Sequence, residues 1–590
     1  MIYKTVSQNL KQMLIMKKNN FRFLTVTMIG IQFYSCQNGI EVTGQPALTL
    51  NEKLASKSHR KIILGKKLEN PYSVKNMRLA LKSLKEKQKN SSKSYSAKTL
   101  NDDLDIQVTD YYVKFWIENY NQKNLLLADS LNLSIIPLDV EIEQEDDYFV
   151  DENTEIEEAQ WVYTTVVKDY QFHSEINYEK IEDLFLLEES SPEKEEDDEK
   201  EDETTTTTIV GKSAISKKFL YDLEDEALRI TDNLEEPKDK RDSINGLFAR
   251  KSKRRPQGYV KVRNTVTGEN DPVIGVKVIT RRWFKWAKSW TDSQGFYRIN
   301  RGYKRSVRYT IVFKNIRGFE IWPSTISSSS ARYRAGKHSK YGHNITFGTN
   351  SVGWRWSTVN NATVKYLDYC TQFGIGKPHS NLRIVANGKF GSGAAPMLRR
   401  TWGWIGFRSN SDLISFFSKI TISVPINALW LVTRFVLPDI IIKANASQGT
   451  DGVYSNTFHE LAHASHHKKV GSGYWIKYIN YIITYGTYGD GHGYNSGYAG
   501  VSEMWSYYIS ARLIEEEFDD DSFYRFIPID GWIPVRINRR IVNEVDYTVQ
   551  DIFSSLNSNV NSIPKLKTEY NSRIGKNIPI VNQIFNDDEY

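Results

Sequence analysis

Four of the chain's ten histidines lie within nine residues, in the stretch Ser455–Lys469. His459 and His463 are four residues apart, so on a helix they project from one face, one turn from each other. Two imidazoles in this arrangement can bind one zinc ion. Glu460 follows His459 directly and could accept a proton from a water on that ion, because zinc lowers the pKa of such a water to about 7. The spacing therefore predicts a zinc site with its own general base.

A zinc ion bound by two histidines in this way needs a third protein ligand. His466 comes seven residues after His459, about 10 Å along a straight helix, so one ion cannot reach both side chains. His467 projects in another direction from the same helix. We therefore expect both residues to lie outside the ligand set, and the third ligand to come from another part of the chain.

The pattern His459-Glu460-Leu461-Ala462-His463 resembles the HExxH motif of the zincin metallopeptidases. In the gluzincin group of zincins the third ligand is a glutamate on a downstream helix. Glu503, 40 residues after His463, lies in the first turn of a helix that is predicted to begin at Val501. The resemblance implies that His459, His463 and Glu503 bind Zn²⁺. It also implies that Glu460 is the general base and acid of peptide-bond hydrolysis. Without a metal, Glu503 would be an acid that stabilises a helix N-terminus.

The glycine-rich stretch Gly486–Tyr494 contains two alternatives to Glu503. It distantly resembles the aspzincin pattern, which makes Asp490 a candidate ligand, although Gly489 stands where that pattern has its aspartate. His492 could be a ligand or could donate a hydrogen bond to the oxyanion of a transition state. The same oxyanion role is open to four tyrosines, namely Tyr494, Tyr498, Tyr507 and Tyr508.

The resemblance to zincins covers residues 324–590 and implies an α+β metallopeptidase domain there. Ahead of the motif, the Gly391–Met397 segment resembles the edge strand along which zincins align a peptide. A substrate would bind to such an edge by strand addition. The partner expected for this domain is therefore a peptide or a protein.

Residues 256–322 contain short β-type runs separated by turn residues. The Gly275–Val278 run and the Thr291–Tyr297 turn resemble the carboxypeptidase regulatory-like domains, which are transthyretin-like β-sandwiches. This resemblance implies a spacer or interaction module in the middle of the chain. The segment Arg281–Trp290 mixes basic and aromatic residues and could stack sugars or nucleotides, but a hairpin at the edge of a sheet explains it more simply.

The N-terminal residues 1–36 have the three-part layout of a secretion signal. Lys17, Lys18 and Arg22 precede an apolar run from Phe23 to Phe33, which is too short to span a bilayer comfortably. The cysteine at its end resembles that of a bacterial lipoprotein lipobox, which implies that a lipid on Cys36 anchors the protein to a membrane. The expected location is the cell envelope, as an outer-membrane or cell-surface lipoprotein, or the medium.

Charge and composition define the rest of the chain. Residues 37–104 are basic and polar, typical of a tether, and residues 105–250 predict a small strand-containing domain. Within that domain, residues 188–208 are expected to be a disordered acidic loop, because Glu188–Glu203 alone holds eleven acids and two lysines. The remainder therefore carries a net charge of about +16, but its basic residues are scattered and no nucleic-acid-binding module appears. The chain has only two cysteines, which excludes a framework of several disulfide bonds.

Together these features predict a multidomain α+β protein that acts as an exported, lipid-anchored zinc peptidase. Its expected order is a strand-containing N-terminal domain, a β-sandwich and a zincin-like α+β domain. The alternative is a non-catalytic binding or scaffold lipoprotein of the cell surface with a degenerate zincin domain. Glu460 favours the enzyme, because a protein that only binds has no use for a base at that position.

Overall fold

The computed structural model describes most of the chain between residue 62 and the C-terminus. The described ranges are 62–89, 105–118, 120–144, 160–186, 208–210, 213–215, 217–234, 253–323, 330–391, 393–401, 438–485, 488–525 and 532–590. Helices and strands are mixed throughout, so the predicted multidomain α+β class is confirmed. The signal region with Cys36 and nearly all of the predicted acidic loop lie outside the described residues.

The helices fall mainly in the C-terminal half and the strands in the first two thirds of the chain. The helices are α1 (Val74–Lys89), α2 (Tyr120–Ala128), α3 (Lys217–Ile230), α4 (Val352–Gln372), α5 (Leu398–Thr401), α6 (Gly449–Val470), α7 (Ser472–Tyr485), α8 (Ser496–Phe518), α9 (Arg536–Val545), α10 (Val549–Ser555), α11 (Ile563–Glu569) and α12 (Ile578–Asp587). The strands are β1 (Ile63–Lys67), β2 (Asp110–Ile117), β3 (Val140–Gln144), β4 (Gln160–Val167), β5 (Tyr178–Leu184), β6 (Thr208–Val210), β7 (Ser213–Ile215), β8 (Gln257–Arg263), β9 (Asn270–Pro272), β10 (Val276–Arg282), β11 (Lys285–Trp290), β12 (Phe296–Arg298), β13 (Val307–Asn315), β14 (Phe319–Trp322), β15 (Arg332–His338), β16 (Ile345–Phe347), β17 (Leu382–Asn387) and β18 (Ile440–Lys443).

The N-terminal part is built on the antiparallel sheet β4-β2-β5, with cores on both faces. Residues 62–89 differ from the predicted tether, because they form β1, which pairs with β3, and helix α1. Met77, Ala80 and Leu81 of α1 are buried in one cluster with Leu223 and Ala227 of α3. Their helical spacing provides an apolar stripe between the lysines, and this stripe folds the segment against its neighbour.

The β10–β11 hairpin connects this part to the rest of the molecule. Its turn residue Phe284 is buried against Tyr72 and Tyr112, with ring centroids 6.0 and 5.2 Å away. The neighbouring Lys285 Nζ lies 2.7 Å from a carboxylate oxygen of Glu224, and Tyr72 Oη donates to the same oxygen. The basic and aromatic Arg281–Trp290 segment is therefore a hairpin whose tip is inserted into the N-terminal core.

A seven-stranded sheet contains strands from both of the segments predicted as a sandwich and as a metallopeptidase. Its order is β11-β10-β13-β14-β17-β18, with β15 paired to β13. Strand β14 is parallel to β17 through Phe319–Leu382 and Trp322–Val385, and β17 is parallel to β18. The backbone hydrogen bonds thus continue across residue 322, the end of the segment predicted as a sandwich.

Helix α6 is the central element of the C-terminal part, where it is surrounded by α4, α7, α8 and β18. Fifteen of its residues are buried, including all four histidines, because neighbours cover it on nearly every side. The helix ends at Gly471, whose φ of 82° is accessible to glycine at little cost. Among the described helices, none is long and apolar enough to cross a bilayer.

The shared sheet predicts how fragments of the chain will behave. A fragment of residues 324–590 lacks β14 and therefore leaves the pairing edge of β17 open, which favours aggregation. We expect this fragment to be insoluble or to unfold without a cooperative transition, whereas residues 253–590 keep the complete sheet. Circular dichroism during thermal unfolding of both fragments measures their transitions. A cooperative transition in the fragment of residues 324–590 would contradict the prediction.

Candidate metal centre

Two buried helices position the predicted site residues. Helix α6 carries His459, Glu460 and His463, and α8 carries Glu503 in its second turn. The helices approach closely enough for Trp505 Nε1 of α8 to donate to the backbone carbonyl of Ala462 at 3.3 Å. This contact fixes the rotation of α8, so that its residue 503 faces the two histidines.

The side chains of His459, His463 and Glu503 converge on one point. The two Nε2 atoms are 3.1 Å apart, and the carboxylate oxygens lie 3.3 Å from His459 Nε2 and 3.4 Å from His463 Nε2. Bonds of 2.0–2.1 Å at tetrahedral angles would place the ligand atoms about 3.3–3.4 Å apart. The measured distances of this triangle are close to this value, with Oε2 of Glu503 nearest to His459 and Oε1 nearest to His463, and one ligand atom from each residue lies within 4.8 Å of the others. Among the described residues, this is the one group of three such ligands.

The polar atoms of this triangle are buried without adequate partners. Glu503 is 1% exposed, and its Oε2 has no hydrogen-bond donor among the described residues. The facing Nε2 atoms of His459 and His463 cannot both carry a proton at 3.1 Å. A bound cation satisfies all three groups at once. Zinc and non-haem iron both use histidine and carboxylate ligands, so the geometry indicates a metal site rather than one particular metal.

Two residues outside the predicted set orient the ligands. Ser506 Oγ lies 3.0 Å from His463 Nδ1 and can accept a hydrogen bond from the Nδ1–H group. Nε2 is then unprotonated and free to bind a metal. Tyr478 Oη of α7 donates to Glu503 Oε1 at 2.6 Å. Ser506 follows Glu503 by three residues on the same helix, so helical spacing could have found it. Tyr478 has no such local signal, because α7 meets α8 only in the folded protein.

Glu460 lies beside the triangle and is 2% exposed. Burial raises the pKa of its carboxyl to about 8, with the charge of Glu503 acting in the same direction and those of His459 and Lys443 opposing it. The backbone of Gly393 covers the side chain so closely that a Cβ there would come within 2.7 Å of Glu460 Cγ. Such a carboxyl can accept and release a proton near neutral pH.

The charges within the triangle depend on one another. Burial opposes ionisation of Glu503, but the nearby imidazoles of His463 and His459 hold the pKa of its carboxyl well below its usual range. Burial alone would lower the pKa of both imidazoles, and it does so for His463. The carboxylates of Glu503 and Glu460 instead raise the pKa of His459. The glutamate therefore presents the negative charge that a cation site needs.

The remaining candidates occupy three different environments. The ring of Tyr507 lies 4.6 Å from that of His459 at the site. Asp490 and His492 are exposed residues of the preceding loop, where Asp490 Oδ1 accepts the backbone N–H of His492, and neither joins the triangle. Tyr494 is 84% exposed.

His466 and His467 also lie outside the triangle. His466 Nδ1 is 3.1 Å from Ser502 Oγ, one turn before Ser506 on α8. His467 lies between His379 and Thr401, at 3.1 Å from each. Both are buried, so they contribute to the packing of α6 rather than to its ligand set.

The segment resembling an edge strand lies next to β18. Ala394 exchanges two 2.8 Å backbone hydrogen bonds with Ile441 in an antiparallel bridge, whereas β17 and β18 run parallel. The neighbouring Gly393 lies between Ile441 of β18 and Glu460. Comparison of the chain with protein-family models, with curated proteins and with solved structures finds no match in any of the three. The resemblance to zincins therefore stays a prediction from the motif.

Ser506 provides a test of the ligand geometry. Replacing it by alanine removes the acceptor on His463 Nδ1, so we expect the affinity for zinc to fall by about 10- to 100-fold. Ser510→Ala is the matched control, because Ser510 lies one turn further along α8 and binds the carbonyl of Tyr507. Competition with a fluorescent chelator measures the zinc affinities of both variants. Equal zinc affinities of Ser506→Ala and Ser510→Ala would count against the proposed orientation of His463.

Proposed function

We propose that this protein is a zinc-dependent peptidase. The observation that carries the proposal is the buried group of His459, His463 and Glu503. Its two Nε2 atoms lie 3.1 Å apart, and they lie 3.3 and 3.4 Å from the two oxygens of the carboxylate, a cluster of the size that one metal ion can join. Zinc, when bound there, supplies a Lewis acid that polarises a carbonyl and lowers the pKa of a water. Glu460, next to the triangle on the same helix, supplies the proton acceptor that hydrolysis also requires.

The chain's own residues account for the proton transfers. Glu460 removes a proton from the water whose oxygen attacks the peptide carbonyl carbon. When the C–N bond breaks, the same carboxyl delivers that proton to the leaving amine nitrogen. Tyr507, whose ring lies 4.6 Å from that of His459, is the residue we propose to stabilise the oxyanion.

The substrate is proposed to be a peptide or protein in extended form. Ala394 bridges to Ile441 of β18, and its neighbour Gly393 lies against the side chain of Glu460. A peptide aligned beside this segment would place a backbone carbonyl near the base. Extended binding by backbone hydrogen bonds is the usual way in which an exposed strand edge recognises a peptide.

Metal analysis of the full chain tests the ligand set. We expect about one zinc per chain in the wild type and in Glu460→Gln, whereas Glu503→Ala should lower the affinity by more than about 100-fold. Glu516→Gln, at the far end of the same helix, is the matched control and should retain zinc. Inductively coupled plasma mass spectrometry after dialysis measures the content. Zinc retained with unchanged affinity in Glu503→Ala would contradict the ligand set, and stoichiometric iron instead of zinc would contradict the proposal.

Cleavage of a peptide library by the same proteins tests the base. We expect kcat to fall by about 10²- to 10⁴-fold in Glu460→Gln while zinc stays bound, because the carboxyl transfers protons and is not a ligand. Glu516→Gln should cleave like the wild type. A wild-type protein that binds zinc but cleaves no peptide would instead favour a non-catalytic binding or scaffold lipoprotein.

We further propose export and anchoring by a lipid on Cys36. Cys370→Ala is a natural control, because Cys370 is 2% exposed within α4 and cannot receive a lipid in the folded protein. In a bacterium that makes lipoproteins, radiolabelled palmitate should enter the wild type and Cys370→Ala but not Cys36→Ala. Label in Cys36→Ala would disprove this anchor.

A further inference from the structure

A groove of about 360 Å³ lies at the N-terminal end of α8. The described residues that line it come from the start of α8, from Trp532 ahead of α9, and from the start of α11. Neither the three proposed metal ligands nor Glu460 lines it. Its volume falls within the roughly 300–1,000 Å³ that is usual for small-molecule sites. The groove is therefore large enough for a ligand of its own.

The polar side chains of this groove are neutral. Among the described residues that line it there is no aspartate, glutamate, lysine, arginine or histidine. Its polar groups are instead the amides of Asn495 and Asn561 and the hydroxyls of Ser496, Tyr498 and Ser562. Amides and hydroxyls both donate and accept hydrogen bonds. Such a lining suits a ligand rich in hydroxyl groups and gives no countercharge to an ionised one.

Two of these side chains are free to bind a ligand. In the part of the chain that the structure describes, neither the amide of Asn495 nor the hydroxyl of Ser496 forms a hydrogen bond. Both residues are half-buried. Asn495 is the N-cap of α8, but its side chain does not accept a backbone N–H, as the side chain of an N-cap residue usually does.

The phenol of Tyr498 is arranged as a hydrogen-bond donor. Its oxygen accepts hydrogen bonds from Lys477 Nζ and from Asn561 Nδ2, both at 3.0 Å. Its own hydrogen has no acceptor among the described residues, and the residue lines the groove. Burial alone would raise the pKa of Tyr498, but the hydrogen bonds from Lys477 and Asn561 lower it, which makes the O–H group a stronger donor.

Two aromatic residues complete the groove. Trp532 Nε1 donates to the backbone carbonyls of Tyr488 at 2.9 Å and Gly489 at 3.2 Å, and Tyr590 Oη donates to the carbonyl of Trp532. Trp532 and Tyr590 are thereby fixed in orientation while both stay half-buried. The C–H faces of a pyranose ring are apolar and pack against aromatic rings, while the hydroxyls at its rim reach polar groups.

We propose that this groove binds a neutral saccharide, with one pyranose ring packed on Trp532 and its hydroxyls bonded to Asn495, Ser496 and Tyr498. The groove offers the two surfaces that a sugar ring requires, an aromatic one for its faces and a neutral polar one for its rim. None of these residues belongs to the candidate metal centre, so saccharide binding is independent of the proposed peptidase activity.

Isothermal titration calorimetry of the full chain tests the class of ligand. The probes are four neutral tetrasaccharides, namely cellotetraose, xylotetraose, maltotetraose and chitotetraose, with tetragalacturonate as the charged comparison. At least one neutral probe should bind with a Kd below about 1 mM. No binding of any neutral probe at about 10 mM would overturn the proposal. Tighter binding of tetragalacturonate than of all four neutral probes would also overturn it.

Two substitutions locate the binding site. Tyr498→Phe removes the donor but keeps the ring, which packs 4.6 Å from that of Tyr474. Asn495→Gly removes the amide and suits the φ of 70°, at which alanine would be strained. Each should weaken binding of the best probe by about tenfold, since one hydrogen-bonding group is lost. Asn480→Ala, exposed on α7 outside the groove, is the control and should bind like the wild type.

Equal affinities of the wild type and all three variants would place the saccharide elsewhere and overturn the proposal. Thermal unfolding checks the folded state, because the bound saccharide should raise Tm more in the wild type and Asn480→Ala than in the other two variants. If either groove variant no longer unfolds cooperatively, Ser496→Ala replaces it, since it removes one unpartnered hydroxyl.

The source of the saccharide is decided with the best-bound probe. Its affinity is measured once as the free sugar and once with the same sugar attached to a serine peptide. Equal affinities identify the sugar alone as the ligand. Tighter binding of the conjugate identifies the glycan of a glycoprotein.

Discussion

The close approach of α6 and α8 is the constraint on which the metal centre depends. Ser502 and Ser506 lie where the two helices meet, and each small side chain reaches an imidazole of α6 instead of separating the backbones. Trp505 adds a hydrogen bond to a carbonyl of α6. Only at this separation does Glu503 reach both His459 and His463.

Burying a carboxylate and two imidazoles in a core destabilises the folded state unless these groups are paired. In the candidate centre Glu503 Oε2 lacks a hydrogen-bond donor among the described residues, although Tyr478 satisfies the other oxygen. A cation at this position would stabilise the contact between the helices as well as provide chemistry. Metal binding would thereby be coupled to the packing of α6 on α8, as in other proteins whose ligands meet only on folding.

Local spacing accounts for what the sequence could predict. Two histidines four apart share a helix face whatever surrounds them, and this is how His459 and His463 are arranged. The position of Glu503 on a helix is also predicted by the helical pattern around it, and Glu503 lies in α8. The hydrogen bond of Tyr478 and the pairing of β14 with β17 depend instead on contacts between distant residues, which periodicity does not encode. The many lysines of α1 make its segment typical of a tether in composition, although the residues between them form an apolar stripe that packs against α3.

The parallel pairing of β14 with β17 also bears on how such a chain can change during evolution. A sandwich joined to an enzyme only by a linker can be gained, lost or exchanged as a cassette without disturbing the active site. Here the strands of the two segments share backbone hydrogen bonds, and one apolar core contains Val278, Phe313, Ile384 and Phe458. Recombination at the boundary would separate β14 from its partner β17, so exchange of either segment alone would disrupt the sheet.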